Sequence, residues 1–260
     1  MLQRKTVPYG GWSSSLSAEW IADDTVSLGQ LCLDGSDVYW NEVRANDKGR
    51  SVVCKLGEKG VVEDFSPPNS NVRSRVHEYG GGAYCVERGE LWYSDVNDCR
   101  VWHKSRNGTA VPITSGKNRR YADLVRDPNR NQLIAVSEEH IEGIKQPYNR
   151  LIGIRETGEV VTLVEGADFY ASPTLSNDGK WLSWLSWDHP CMPWDGTLLW
   201  RALIENDGSV GERVLLAGGP NESVFQPTFA PDGTLYFVSD RSGWWNLYRL
   251  RANNIELVLP

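Results

Sequence analysis

The densest grouping of chemically capable residues is VRSRVHEYGGGAY, Val72 to Tyr84. Arg73, Arg75, His77 and Glu78 bring two guanidiniums, an imidazole and a carboxylate close together. His77-Glu78 begins like the zinc motif HExxH, but the position four after His77 is Gly81, so zinc lacks its second ligand. Gly80-Gly81-Gly82 has neither GxxxxGK[ST] nor GxGxxG spacing and is no phosphate loop. A second grouping is WDHPCMPWDG, Trp187 to Gly196, where Asp188, His189, Trp194 and Asp195 share one irregular stretch. Loops on a rigid scaffold often carry binding; a plain rim loop is the alternative. A third is Asp240-Arg241, either a bracing ion pair or a ligand contact.

Catalytic patterns are absent from these 260 residues. No GxSxG nucleophile elbow occurs. The four histidines, His77, His103, His140 and His189, show no metal-ligand spacing. The reading therefore calls for no catalytic residue, no metal and no cofactor; a metal-dependent hydrolase is the weakest reading.

The elements that must position these residues are strands. Pro231-Asp232-Gly233 is a turn, because Pro presets φ, Asp bonds the backbone two residues on, and Gly accepts positive φ. Thr234 to Ser239 is rich in β-branched and aromatic residues, as strands are. SPTLSNDGKWLSWLS repeats QPTFAPDGTLYFVSD, with Pro173, Asp178 and Gly179 matching Pro227, Asp232 and Gly233. The strands around Val53, Trp102, Ile152, Trp200 and Tyr248 recur at steps of 49, 50, 48 and 48 residues. Four strands per roughly 40 to 50 residues is the period of a β-propeller blade. The fold is expected to be all-β: about five four-stranded blades, at 29–64, 72–114, 120–165, 168–217 and 222–260, after a lead-in at 1–28. The lead-in SSSLSAEWIADD has room for a strand that closes a blade elsewhere. The triple glycine is expected to let blade two's first strand run close to the crowded axis.

Composition narrows the partners. Net charge is −7 with no Lys/Arg block, which argues against nucleic acid and against an anionic membrane. No stretch approaches 18 apolar residues, and MLQRKTVPYGGW holds no signal-peptide core. Five cysteines, with no CxxC pair, read as reduced thiols of a cytoplasmic protein.

Four long motifs carry a family resemblance: VRSRVHEYGGGAY, RYADLVRDP (Arg120 to Pro128), Asp168 to Trp200, and Gly218 to Arg249. Together they resemble the N-terminal propeller of S9, prolyl oligopeptidase-type serine peptidases, in the dipeptidyl or acylaminoacyl peptidase branch. The resemblance covers nearly the whole chain. It implies a seven- or eight-bladed propeller capping an α/β-hydrolase domain that holds the triad, with the propeller admitting short peptides and able to hold their N-termini. By that resemblance the chain is a substrate-gating domain, inactive without its hydrolase domain. The alternative is a free-standing propeller that binds a protein or peptide partner.

The candidate substrate contacts are Arg75, His77, Glu78, Asp188, His189, Trp194, Asp195 and Arg241. Glu78 leads, since a carboxylate at a tunnel mouth attracts a peptide ammonium. Asp188 and Asp195 follow. The competing role for Glu78 is a buried brace paired with Arg73 or Arg75.

Overall fold

The turn residues fold the chain where their chemistry allows. In the computed structural model, which describes residues 6–22, 25–57 and 60–259, Gly179 and Gly233 take φ of 69° and 83°. Their N–H groups close the turns on Ser176 O at 2.7 Å and Ala230 O at 2.9 Å. Each turn joins the first and second strands of a blade.

Five sheets result, each of four strands, and neighbouring strands are antiparallel throughout. Blade one is β1 (Val26–Asp34), β2 (Asp37–Arg44), β3 (Arg50–Leu56) and β4 (Val62–Asp64). Blade two is β5 (Tyr84–Glu87), β6 (Glu90–Asp95), β7 (Arg100–Lys104) and β8 (Ala110–Pro112). Blade three is β9 (Arg119–Asp127), β10 (Gln132–Glu139), β11 (Tyr148–Arg155) and β12 (Val160–Val164). Blade four is β13 (Phe169–Leu175), β14 (Trp181–Trp187), β15 (Leu198–Leu203) and β16 (Val214–Gly218). Blade five is β17 (Val224–Phe229), β18 (Leu235–Ser239), β19 (Asn246–Arg251) and β20 (Asn254–Leu257).

The lead-in differs from its strand expectation. Among the described residues the part before β1 forms no strand but a short helix, Ala18–Ala22. Ser17 starts it: its hydroxyl accepts the Trp20 N–H at 3.0 Å and its carbonyl accepts the Ile21 N–H at 3.1 Å.

The core lies between blades. One apolar cluster fills each joint: Tyr39, Val53 and Leu91 between blades one and two, Trp92, Leu133 and Ile152 between two and three, Ile134, Leu151 and Trp184 between three and four, and Leu199, Phe237 and Tyr248 between four and five. Among the described residues no such cluster joins blade five to blade one. Leu28, Leu31 and Leu33 of β1 stand exposed, as does Phe225 of β17. The blades form an open arc with an apolar face at each end, the shape expected of part of a larger propeller.

Four of the five first strands share one device. β1, β9, β13 and β17 each carry a register shift, with a left-handed residue at or beside it: Gln30, Asp123, Ser172 and Gln226, at φ of 44°, 54°, 51° and 52°. At three of these positions the bulge bridges blades. Gln30 Oε1 accepts the Ala83 N–H at 2.7 Å and its Nε2 donates to Tyr84 O at 2.5 Å. Asp123 Oδ1 accepts the Gly82 N–H at 2.6 Å, and its Oδ2 accepts the Ser172 N–H at 2.7 Å.

Candidate functional site

In an antiparallel four-stranded blade, the segment leading into the first strand and the loop joining the second and third strands emerge at the same end. Arg75, His77 and Glu78 precede β5; Asp188 to Asp195 join β14 to β15; Arg241 lies in the turn from β18 to β19. The topology thus brings all eight residues to one end of the arc.

A cavity of about 500 Å³ opens there. Its floor is Gly80, Gly81 and Gly82 with Asp123 of β9. The glycines are required by the approach of the two blades: a Cβ on Gly81 would lie 2.9 Å from both Ala122 Cβ and Asp123 Oδ1. The three glycines precede β5 rather than lying in it, and the close approach they allow is to β9 of blade three. Tyr79, Trp187, Trp194, Phe225 and Trp245 supply aromatic walls. Four of these remain open to solvent although large and apolar: Tyr79 is 62% exposed, Trp194 64%, Phe225 47% and Trp245 52%. Grouped exposed apolar surface of this kind marks binding sites.

His77 lies in the wall of this cavity. His77 and Glu78 both hold left-handed φ, 54° and 68°, so the segment doubles back, and Gly80 N–H closes on Val76 O at 2.8 Å. Its ring is buried and meets Phe169 and Trp187 edge-on at 5.2 and 5.5 Å. Nε2 lies 3.0 Å from Tyr170 O, a carbonyl that can only accept, so that nitrogen carries a proton. Nδ1 faces Glu138 Oε2 at 3.6 Å.

Glu138 is the hub of the charges behind the cavity. It is only 3% exposed and takes hydrogen bonds from His77 N–H at 2.6 Å, His140 Nε2 at 2.7 Å and Arg120 Nη1 at 2.9 Å. Burial pushes its carboxyl up, but the bonds from His77 and His140 and the Arg120 charge outweigh that and hold it at about 2. The same Arg120 nitrogen lies 2.6 Å from Glu78 Oε1, and Arg75 lies 3.2 Å from Glu78 Oε2. Glu78 is therefore paired on both oxygens yet 65% exposed. Hydrogen bonding to Arg120, first, lowers its carboxyl.

The blade-four loop is knit to the start of β13. Asp168 Oδ2 accepts from His189 N–H at 2.9 Å and Nδ1 at 2.8 Å. Asp188 Oδ1 accepts the Asp168 N–H, and Asp195 Oδ2 accepts the Met192 N–H. Of the candidate residues on this loop Trp194 lines the cavity, beside Pro193 and Thr197. Arg241 pairs not with its neighbour Asp240 but with Glu222 at 2.7 Å, over the ring of Tyr248. Asp240 instead accepts the Ser223 N–H. Among the described residues no group of three or more His, Cys, Asp or Glu could hold a metal ion.

Sequence reasoning missed Asp123, Tyr170, Phe225 and Trp245 as cavity residues. Only the adjacent Trp244-Trp245 in a turn was a visible signal.

Five four-stranded blades define a β-propeller. No family model matches the chain, and no curated protein does. Solved structures match it over its whole length. A puromycin-hydrolysing peptidase of Mycobacterium tuberculosis is 33% identical with a TM-score of 0.85, over 99% of this chain and 42% of that one. A puromycin hydrolase is 31% identical with a TM-score of 0.87, over 99% and 42%. A prolyl endopeptidase shares the fold at 14% identity, with a TM-score of 0.64, over 91% and 36%. Along its whole length the chain resembles the propeller domains of S9, prolyl oligopeptidase-family, peptidases. It spans 42% of the length of the puromycin hydrolases it matches.

Proposed function

We propose that this chain is the substrate-gating propeller of an S9-type serine peptidase acting on short peptides, of dipeptidyl or acylaminoacyl type. The single observation that carries the reading is the identity of about a third to puromycin-hydrolysing peptidases along the whole chain. The cavity supports it, since it opens at the end where the candidate contact residues gather. Nucleophile, acid and base would come from an α/β-hydrolase domain outside these 260 residues, so the chain alone is inactive. His77 and Trp194 meet the peptide at the cavity wall. Arg75, Glu78, Asp188, His189, Asp195 and Arg241 form the rim. Puromycin, which the two relatives hydrolyse by name, is a candidate substrate of the whole protein. The five free thiols fit a cytoplasmic setting, and among the described residues no helix is long and apolar enough to cross a membrane.

The test is turnover of chromogenic dipeptide and acyl-amino-acid substrates, and of puromycin. The chain joined to its hydrolase domain is expected to cleave them. Serine-hydrolase turnover by the chain alone would overturn the reading.

A further inference from the structure

A second cleft lies between blades one and two. The turns β1–β2, β5–β6 and β7–β8 meet there, at the end of the arc opposite the cavity. Its volume is about 350 Å³, within the range of small-ligand sites. Its charged lining is Asp34, Asp37, Lys55, Arg88 and Arg106. Lys55 and Asp37 cancel, since Lys55 Nζ lies 2.7 Å from Asp37 Oδ2. Asp34 serves the fold: its Oδ2 accepts the Gly89 N–H at 2.6 Å and ties blade one to blade two. Arg88 and Arg106 are left over. Both are exposed, and among the described residues neither takes part in a hydrogen bond or an ion pair.

The backbone brings these two residues together at Gly89. Arg88 and Gly89 form the two-residue turn from β5 to β6, with φ of 52° and 75°. Such turns favour Asn, Asp or Gly at the first place, yet an arginine is held there. The Arg106 stem crosses the same glycine, its Cγ 3.5 Å from where a Gly89 Cβ would lie. Two unpaired guanidiniums from separate turns thus line one cleft of a chain whose net charge is −7. Like charges in one cleft repel, and an anion shared by both relieves that. Guanidinium forks fit phosphate oxygens two at a time. The cleft has room for more than a phosphate, and the rest of its lining is polar. Asp34 and Asp37 keep acceptor sites for hydroxyl donors, and the Asn107 amide both donates and accepts. The same carboxylates disfavour a ligand that is negative throughout.

We propose that this cleft binds the phosphate monoester of a small polyol, the class of the sugar phosphates. The phosphate sits on Arg88 and Arg106, and hydroxyls sit on the two carboxylates. The inference goes beyond the peptidase reading and does not depend on it.

The 260-residue chain is titrated calorimetrically with glucose 6-phosphate, glucose and inorganic phosphate at constant ionic strength. Saturable binding of glucose 6-phosphate is expected, with each of the other two about tenfold weaker or more, the size of one charge-assisted hydrogen bond. Arg88→Ala and Arg106→Ala should each weaken glucose 6-phosphate by a similar factor. Both side chains are exposed, so neither change should move the melting temperature much. Lys180→Ala, which removes an exposed cation from blade four, is the charge control and should leave binding unchanged. No saturable binding of glucose 6-phosphate, equal binding of inorganic phosphate, or binding that survives the loss of both arginines would overturn the inference.

Discussion

Glu138 accepts the backbone N–H of His77 at 2.6 Å, across 61 residues of sequence. The bond ties the segment before β5 to β10, so the doubled-back turn that builds the cavity wall hangs on blade three. Arg120 extends the tie outward to Glu78.

That tie makes the fold acid-sensitive in a stated window. The Glu138 carboxyl is held at about 2, below its ordinary 4.5, because the donors around it outweigh burial. A depressed carboxyl stabilises the fold fully above the unfolded value and loses that stabilisation as pH falls from 4.5 toward 2. The shift corresponds to roughly 3 kcal/mol. Urea melts across this range should show a steep acid limb in the native chain and a shallower one in Glu138→Gln. Identical limbs would contradict the assignment.

Glycine packing gives a second expectation. Gly81→Ala forces a Cβ against Ala122 and Asp123, and such overpacking costs about 1–3 kcal/mol. Gly29→Ala, where a Cβ meets nothing within 4 Å, serves as the control and should change stability far less. Equal melting temperatures would show that blades two and three do not approach so closely.

The blade count was legible in the sequence because turn residues and strand period repeat together: Pro173-Asp178-Gly179 and Pro227-Asp232-Gly233 mark the same place in consecutive blades. The cavity was only half legible. Its glycine floor and Trp194 sit in unusual local motifs. Asp123 sits in the ordinary strand RYADLVRDP and joins Gly82 only after two inner strands pack side by side. The left-handed bulge residues were invisible, because Gln30, Asp123, Ser172 and Gln226 share a conformation and not a residue type. The partner of Arg241 was misjudged from adjacency: Glu222 lies nineteen positions away but beside it in the blade.

The two acidic partners of Arg120 should respond differently. Glu78 is exposed, and its ion pairs should be worth about 1 kcal/mol or less, so Glu78→Gln should scarcely move the melting temperature. Arg120→Met leaves Glu138 buried without its cation and should cost about 3–5 kcal/mol. In the peptidase proposed above, Glu78→Gln should lower kcat/KM equally for free and N-blocked peptides, since Arg75 and Arg120 already occupy its oxygens. A loss confined to free N-termini would make Glu78 the ammonium contact.

The open arc should be felt in solution. Leu28, Leu31 and Leu33 at one end and Phe225 at the other are exposed, and such faces drive association. Sedimentation of the 260-residue chain should show concentration-dependent self-association. A monodisperse monomer with one cooperative melt would argue for a closed five-bladed ring.

Gating is measured most directly by the length dependence of cleavage. The propeller chain joined to the α/β-hydrolase domain proposed for it is compared with that hydrolase domain alone, using a short chromogenic peptide and a long peptide carrying the same cleavable residues. The account predicts that the joined protein cleaves the short peptide and excludes the long one. Equal kcat/KM for the two lengths in the joined protein, or no cleavage of either, would contradict it.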